Sequence, residues 1–381
     1  MAPGQAGTPV LTMFHVFPSF GIGGAQIRFA QLANHFGARH RHLVLAIDGD
    51  YGTAALLREE VSLTRLEAGF PKERALWHLP AMRRLMTASR ADILVTYNWG
   101  SIEWALANRW LPAIPRHVHF EDGFGPEEAN RQVPRRVWFR RLALGGGHTR
   151  VIVPSRVLEG LALRHWRLAR EQVIYLPNGI DLTRFSAAGE RRSAESVIGT
   201  IARLRPEKNL RRLIDAFATL AEPPELRLLL VGDGAEREAL TRQARALGLG
   251  DRVRFHGATD RPEALLREMD IFALSSDTEQ MPISLIEAMA SGLPVASTDV
   301  GDVVNMLPEE NAALVRGCKD TASLAVQLRR LAEDRDLRRR LGAANRERAE
   351  RSFDEREMLG RYETLFAPPD GTGAASPDSR S

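Results

Sequence analysis

The sequence predicts an α/β protein made of two doubly wound parallel sheets that face a central cleft. Three observations predict it. Short apolar runs alternate with helical stretches at the spacing of βαβ units. The pattern halts at Pro177-Asn178-Gly179-Ile180-Asp181 and then restarts. The chain has 381 residues, enough for two domains of ordinary size.

In the first half, strand-like runs occupy 10–17, 42–47, 91–96, 116–120, 150–154 and 172–176, with a helical pattern over 25–36. In the second half, strands are expected at 196–202, 226–231, 252–256, 271–275 and 293–297, and helices at 210–220 and 235–246. A charged helical tail runs over 321–366, with an apolar period through Leu324, Leu328, Leu331, Leu337 and Leu341. The implied division is a flexible N-terminus (1–9), a first domain (10–176), a second domain (177–352), a C-terminal helix (353–367) and a disordered tail (368–381).

Composition narrows the function classes. Hydrophobic content of 44% and charge of 26% are those of a globular protein, and no apolar run reaches membrane-span length. The first residues lack the basic, then apolar, pattern of a signal peptide, so cytoplasmic residence is the default expectation. Cys318 is the only cysteine, which excludes an intrachain disulfide and a cysteine-rich zinc site. Residues 1–176 carry a formal +8 and the remainder −4. The basic half suits an anionic surface, such as the inner face of the cytoplasmic membrane or a lipid-linked molecule. No nucleic-acid module is recognisable. The stretch 134–142, PRRVWFRRL, reads as a helix whose aromatics pack on the sheet and whose arginines face water, or else as a membrane-surface helix.

Four places carry candidate chemistry. Gly21-Ile22-Gly23-Gly24 follows a strand and opens a helix, where a backbone can approach an anion closely. Gln26 stands at the sixth position of what would be a dinucleotide fingerprint, which disfavours a dehydrogenase. Arg203 and Lys208 flank a proline turn after a strand and could clamp a diphosphate. His119 ends a first-domain strand, where a sugar-hydroxyl contact and a structural role both stay open. Glu279 and Glu287 are separated by seven residues, the first on a loop and the second in a helix. A loop with Pro282 feeds that helix, and the free N–H groups of a helix N-terminus suit a phosphate. A retaining hydrolase would need carboxyls about 5–5.5 Å apart, which a loop and a helix residue at this spacing would meet only by chance.

With these motifs in this order, the chain resembles the retaining glycosyltransferases of family 4 (group 1), of GT-B fold, across nearly all of residues 10–366. The resemblance implies two Rossmann-like domains, the first on the acceptor side and the second binding a nucleotide-sugar donor. It implies that Gly23 and Gly24 approach the donor phosphate, that Arg203 and Lys208 neutralise the diphosphate, and that Glu287 holds the ribose. Glu279 would contact the donor sugar, backbone N–H groups around Pro282 to Leu285 (those of Ile283, Ser284 and Leu285, since proline has none) would line the phosphates, and His119 would lie near the sugar. No metal or other cofactor is expected. The last helix would cross back to the first domain. Gln280 stands where the family often has Gly, and Asp122 where many members have His. The implied reaction moves a hexose-type sugar from a UDP- or GDP-sugar to a hydroxyl of a glycan or lipid-linked acceptor, in cell-surface polysaccharide synthesis. The alternatives are a sugar-nucleotide epimerase or hydrolase on the same fold, or a catalytically silent sugar-nucleotide-binding protein.

Overall fold

The computed structural model describes residues 11–68, 76–110, 112–124, 126–128, 131–186, 196–220 and 225–367. The flexible N-terminus (1–9) and disordered tail (368–381) expected from the sequence lie outside these residues. In the first domain, β1 (Leu11–Phe17) leads to α1 (Gly24–Phe36), β2 (His40–Ala46), β3 (Ser62–Leu66), α2 (Leu79–Ser89), β4 (Ile93–Tyr97) and α3 (Ile102–Ala107). It continues through β5 (Arg116–Phe120), α4 (Pro134–Leu144), β6 (Thr149–Val153), α5 (Arg156–Arg164) and β7 (Val173–Tyr175). The second domain runs β8 (Ser196–Ile201), α6 (Leu210–Ala218), β9 (Leu226–Val231), α7 (Arg237–Ala246), β10 (Val253–Gly257), α8 (Pro262–Leu266), β11 (Ile271–Leu274), α9 (Ile283–Ala290) and β12 (Val295–Ser297). Helices α10 (Val303–Met306), α11 (Glu309–Val315), α12 (Thr321–Glu333), α13 (Arg335–Ser352) and α14 (Glu355–Phe366) follow.

Both sheets are parallel, ordered β3-β2-β1-β4-β5-β6-β7 and β10-β9-β8-β11-β12. Each reverses its winding once, between β1 and β4 and between β8 and β11. Ligands of open α/β sheets bind at such reversals, beyond the carboxyl ends of the strands. The glycine loop follows β1, and the Arg203–Lys208 turn follows β8. Thus both sequence-predicted loops lie at switch points. The sequence pattern missed β3. Its residues are exposed or half-buried throughout, so this edge strand has no apolar run to announce it.

The central strands read as continuous apolar runs because helices cover both faces. Helix α9 shows how the second core is held. Leu285, Ile286, Ala288 and Met289 are fully buried, and each large side chain contributes about 1.5–3 kcal/mol of burial. The helical tail breaks where Asp334 caps α13 and Asp354 caps α14. Helix α14 lays Met358, Leu359, Tyr362 and Phe366 into the core of the first domain. Arg116 adds hydrogen bonds to the carbonyls of Leu365 (3.0 Å) and Phe366 (3.2 Å) at its end. The chain crosses between domains at Asn178-Gly179. A side chain at Gly179 would place Cβ 2.7 Å from Glu355 Cα, so only glycine fits where α14 returns.

The stretch 134–142 follows neither sequence reading in full. Phe139 packs on Trp99, yet Trp138 is 60% exposed. Arg140 is fully buried, against the expectation that these arginines face water.

Candidate active site

At the second switch point the turn after β8 meets the loop after β11. Lys208 Nζ lies 2.5 Å from Glu279 Oε1, and Ser276 Oγ donates to the same oxygen at 2.7 Å. The Glu279 carbonyl packs on Gly301, where a Cβ would fall 2.0 Å from that oxygen and φ is +53°. This close approach holds the Glu279 loop against the next strand end. Arg203 is exposed and ion-paired with no described residue, so its guanidinium is available to a ligand.

Helix α9 starts directly after the Glu279 loop. Pro282 is its N-cap and supplies no side-chain hydrogen bond, so the first-turn N–H groups of Ile283 and Ser284 stay open to a ligand. Across the interdomain gap, α1 likewise starts at Gly23 with no side-chain cap. A Cβ on Gly24 would lie 4.0 Å from Ile283 Cδ1. Two helix starts therefore come close across the gap, and both dipole ends favour an anion beside them. The Leu285 N–H is already donated to the Pro282 carbonyl at 3.2 Å, and its buried side chain anchors the first turn of α9, so it does not join Ile283 and Ser284 as an open donor.

Glu287 stands one turn into α9, partly buried, and its carboxyl accepts no hydrogen bond from a described residue. Burial pushes its pKa up to about 7; Arg184 opposes the rise and Glu263 adds to it. The two modulating groups are themselves an ion pair at 3.0 Å. Glu287 is thus poised to change charge near neutrality, as carboxyls at functional sites often are.

His119 is placed differently from the expectation. Its ring is fully buried and does not line the cleft. Thr96 Oγ1 contacts His119 Nδ1 at 2.9 Å and His117 Nε2 at 2.8 Å, and His117 Nδ1 reaches Thr149 Oγ1 at 2.9 Å. Alternation along β5 puts both imidazoles on one face. His119 Nε2 has no hydrogen-bond partner and lies 3.6 Å from Glu121 Oε2. Direct contact with a sugar hydroxyl is not available to it in this conformation.

The groups that do sit at the first-domain strand ends were not singled out by spacing. Arg28 on α1 forms a bidentate pair with Asp122 (2.6 and 2.8 Å) and donates to Asn178 Oδ1 (3.1 Å). Asn98 adopts φ +55°, and its Oδ1 accepts from Asp122 N at 2.7 Å. Arg140 Nε donates to Glu121 at 3.0 Å, and its terminal nitrogens to Glu128 at 3.0 and 3.1 Å. Burial opposes ionisation of Glu128, but the Arg140 hydrogen bonds outweigh it and hold the carboxyl below its usual range. The backbone strain at Asn98 is a signal only coordinates reveal.

A groove of about 1110 Å³ opens between the domains beside Glu279. Glu279 and Gln280 line it from the second domain, and Phe124, Trp138 and Arg141 from the first. Gln280 also bridges the domains: Ser155 Oγ donates to its Oε1 at 3.3 Å. Among the described residues no group of three or more His, Cys, Asp or Glu side chains is arranged to hold a metal ion. No helix among them is long and apolar enough to cross a membrane.

Residues 183–348 match the family of glycosyl transferases group 1, and residues 23–179 match the glycosyl transferase 4-like domain. The chain belongs to the group 1 glycosyltransferases. The two matches meet where the chain of this glycosyltransferase crosses between domains. It is 30% identical over 186 residues to N-acetyl-alpha-D-glucosaminyl L-malate synthase of Bacillus anthracis, covering 49% of each chain. It is 35% identical over 139 residues to the lipopolysaccharide core biosynthesis glycosyltransferase LpsD of Rhizobium meliloti, covering 36% of this chain and 40% of LpsD. The matched segment thus spans about half or less of either curated relative. In fold, this group 1 glycosyltransferase is similar to Anabaena HepE solved with UDP and glucose: TM-score 0.74, 22% identity, 93% of this chain and 99% of that one. The two facing doubly wound domains are those of the GT-B fold.

Proposed function

We propose that the protein transfers a hexose-type sugar from a UDP- or GDP-sugar to a hydroxyl of a glycan or lipid-linked acceptor, with retention at the anomeric carbon. The observation that carries this reading is the Lys208–Glu279 contact at a switch point, near two helix starts with no side-chain cap that come close across the gap. The diphosphate lies beside those helix starts, with Lys208 and Arg203 on its oxygens. Glu287 accepts hydrogen bonds from the ribose hydroxyls, and Glu279 orients the sugar. As the bond from the anomeric carbon to the diphosphate oxygen breaks, the acceptor oxygen adds on the same face. The acceptor proton passes to the departing phosphate oxygen. Negative charge grows on the diphosphate in this step, so preorganised cations and helix starts stabilise the transition state more than the ground state. These groups do the work a metal ion does elsewhere, and the reaction needs none. HepE was solved with UDP and glucose, and LpsD is named for lipopolysaccharide core synthesis; both support a nucleotide sugar and a cell-surface product.

The test is donor-dependent release of UDP or GDP with cell-envelope acceptor and a chelator present. Lys208→Ala is expected to lower kcat/KM by about 10²–10³ and Glu279→Gln by a similar order. Release indifferent to both substitutions would overturn the site. Release lost with chelator and restored by Mg²⁺ would overturn the metal-free step. The +8 formal charge of residues 1–176 favours a cytoplasmic enzyme that touches the anionic inner leaflet. Co-flotation with anionic but not neutral vesicles tests this.

A further inference from the structure

The interdomain groove has two walls of unlike electrostatic state. On the second-domain wall each acid is already engaged. Asp277 pairs with Arg212 at 2.7 Å, Asp299 accepts from Gly317 N at 2.8 Å, and Glu279 is held by Lys208 and Ser276. On the first-domain wall the cations are free. Arg131, Arg141 and Arg167 line the groove, are exposed, and form no ion pair with a described residue. The one acid on that wall, Glu128, is buried and taken by Arg140 and Arg136. Trp138 stands among these arginines with its indole 60% exposed. Guanidinium forks match carboxylate and phosphate oxygens, and an exposed indole offers a flat apolar face to a sugar ring. The groove volume of about 1110 Å³ exceeds what a single small ligand needs. Glu279 and its loop neighbours Ser276 and Gln280 belong both to the donor loop and to the groove lining, so a chain lying in the groove brings a hydroxyl to the donor sugar.

We propose that the groove binds an anionic oligosaccharide acceptor, its carboxylate or phosphate groups on Arg131, Arg141 and Arg167 and one sugar ring on Trp138. This rests on the glycosyl-transfer reading and names the acceptor class for it. The test is equilibrium binding, which needs no turnover. The full-length protein is titrated with tetragalacturonate, phosphorylated maltotetraose and unmodified maltotetraose. Both acidic ligands, or one of them, should bind at least about tenfold more tightly than the neutral one, the ratio between them separating carboxylate from phosphate. The preference should shrink as salt rises. The triple variant Arg131→Ala/Arg141→Ala/Arg167→Ala, with unchanged melting temperature, should erase it. Removal of an exposed arginine outside the groove, Arg84→Ala, should leave it within about twofold. Equal binding of neutral and acidic ligands, a triple variant that binds like wild type, or an equal loss in Arg84→Ala would overturn the proposal. UDP binding is measured in parallel. If Lys208→Ala does not weaken it, the donor reading fails while the groove result stands by itself.

Discussion

The two domains share one architecture and use buried polarity in opposite ways. The first domain buries charges and imidazoles. Arg140 is enclosed with Glu121 and Glu128 under Trp99, Phe124 and Trp166, Arg28 is paired with Asp122, and His15 Nε2 meets His42 Nδ1 at 3.0 Å inside the sheet. The second domain buries neutral amides that stitch helices to its edge strand. Asn311 exchanges hydrogen bonds with Val295, Gln327 with Ser297, and Asn345 donates to Leu293 O. The charges of its candidate site stand at strand ends instead, where solvent or a ligand reaches them. A buried ion pair is sensitive to loss of one partner, whereas a strand-end charge can be removed with little effect on folding. The first domain should therefore be the fragile half and the second the one where mutations separate activity from stability.

The largest expected effect tests that fragility. Arg140→Ala strips buried Glu121 of its arginine and leaves Glu128 with Arg136 alone, and should destabilise the first domain by about 3–5 kcal/mol. Asn345→Ala in the second domain, which frees one backbone carbonyl, should cost about 1–3 kcal/mol. All six tryptophans lie in residues 77–166, so their fluorescence reports first-domain unfolding in urea. A fluorescence midpoint unmoved by Arg140→Ala would remove the basis of the comparison.

Acid comes next. Burial holds His42 and His117 at pKa about 3, with a smaller contribution from a neighbouring imidazole in each case. Unfolded, they titrate near 6.5, so below that pH only the unfolded chain takes up the protons. Their stability contribution is complete above 6.5 and is lost as pH falls toward 3, by about 1.4 kcal/mol per pH unit for each. Two such groups amount to about 4 kcal/mol at about pH 5. Nine of the ten histidines precede residue 177, so the tryptophan transition should move with acid more than any second-domain signal. His42→Phe should flatten the dependence; an identical slope in that variant would assign the acid sensitivity elsewhere.

The same contrast explains what the sequence revealed. In the second domain the site comes from two contiguous segments, 203–208 and 279–287, because a parallel strand delivers its loop to the switch point in one piece. Residue type and spacing therefore carry the geometry, and the Lys208–Glu279 meeting needs only the sheet order. In the first domain the comparable groups come from scattered places. Arg28 and Asp122 are 94 positions apart, and nothing in a string of arginines distinguishes the buried Arg140 from exposed Arg135 or Arg141. His119 attracted notice as an imidazole at a strand end, but its side chain turns to Thr96 in the sheet interior. His119 is the penultimate residue of β5, and side-chain direction near the end of a buried strand is set by packing on both faces.

A smaller effect sharpens the second-domain half of the comparison. In the proposed ribose role only the carboxylate form of Glu287 accepts the hydroxyls, and burial pushes its pKa up to about 7, so donor affinity should fall about tenfold per pH unit below 7 and level off above it. UDP-glucose is the suitable probe, since its diphosphate bears no proton that titrates near neutrality. Glu287→Gln should bind more weakly at high pH and show no slope. A wild-type profile that is flat, or a Glu287→Gln profile that keeps the slope, would take the ribose role from this residue.

The smallest effect concerns the contact that joins the two halves. Asp302 of the second domain is buried and accepts from the first N–H groups of α5 in the first domain, Arg156 N at 2.8 Å and Val157 N at 3.2 Å. A carboxylate at a helix start satisfies orphan donors and meets the positive dipole end, here across the interdomain gap. Asp302→Ala should weaken closure by about 1 kcal/mol, about a fivefold shift toward separated domains, while Asp302→Asn, an equally good cap, should behave like wild type. Small-angle scattering detects the change as a larger radius of gyration. Because α14 ties the second domain to the first-domain core independently, the Ala variant should loosen the cleft without releasing the domains. If Asn and Ala variants open the cleft alike, the charge of Asp302 rather than its hydrogen bonds holds the gap. If neither does, closure rests on α14 and the Gln280 bridge alone.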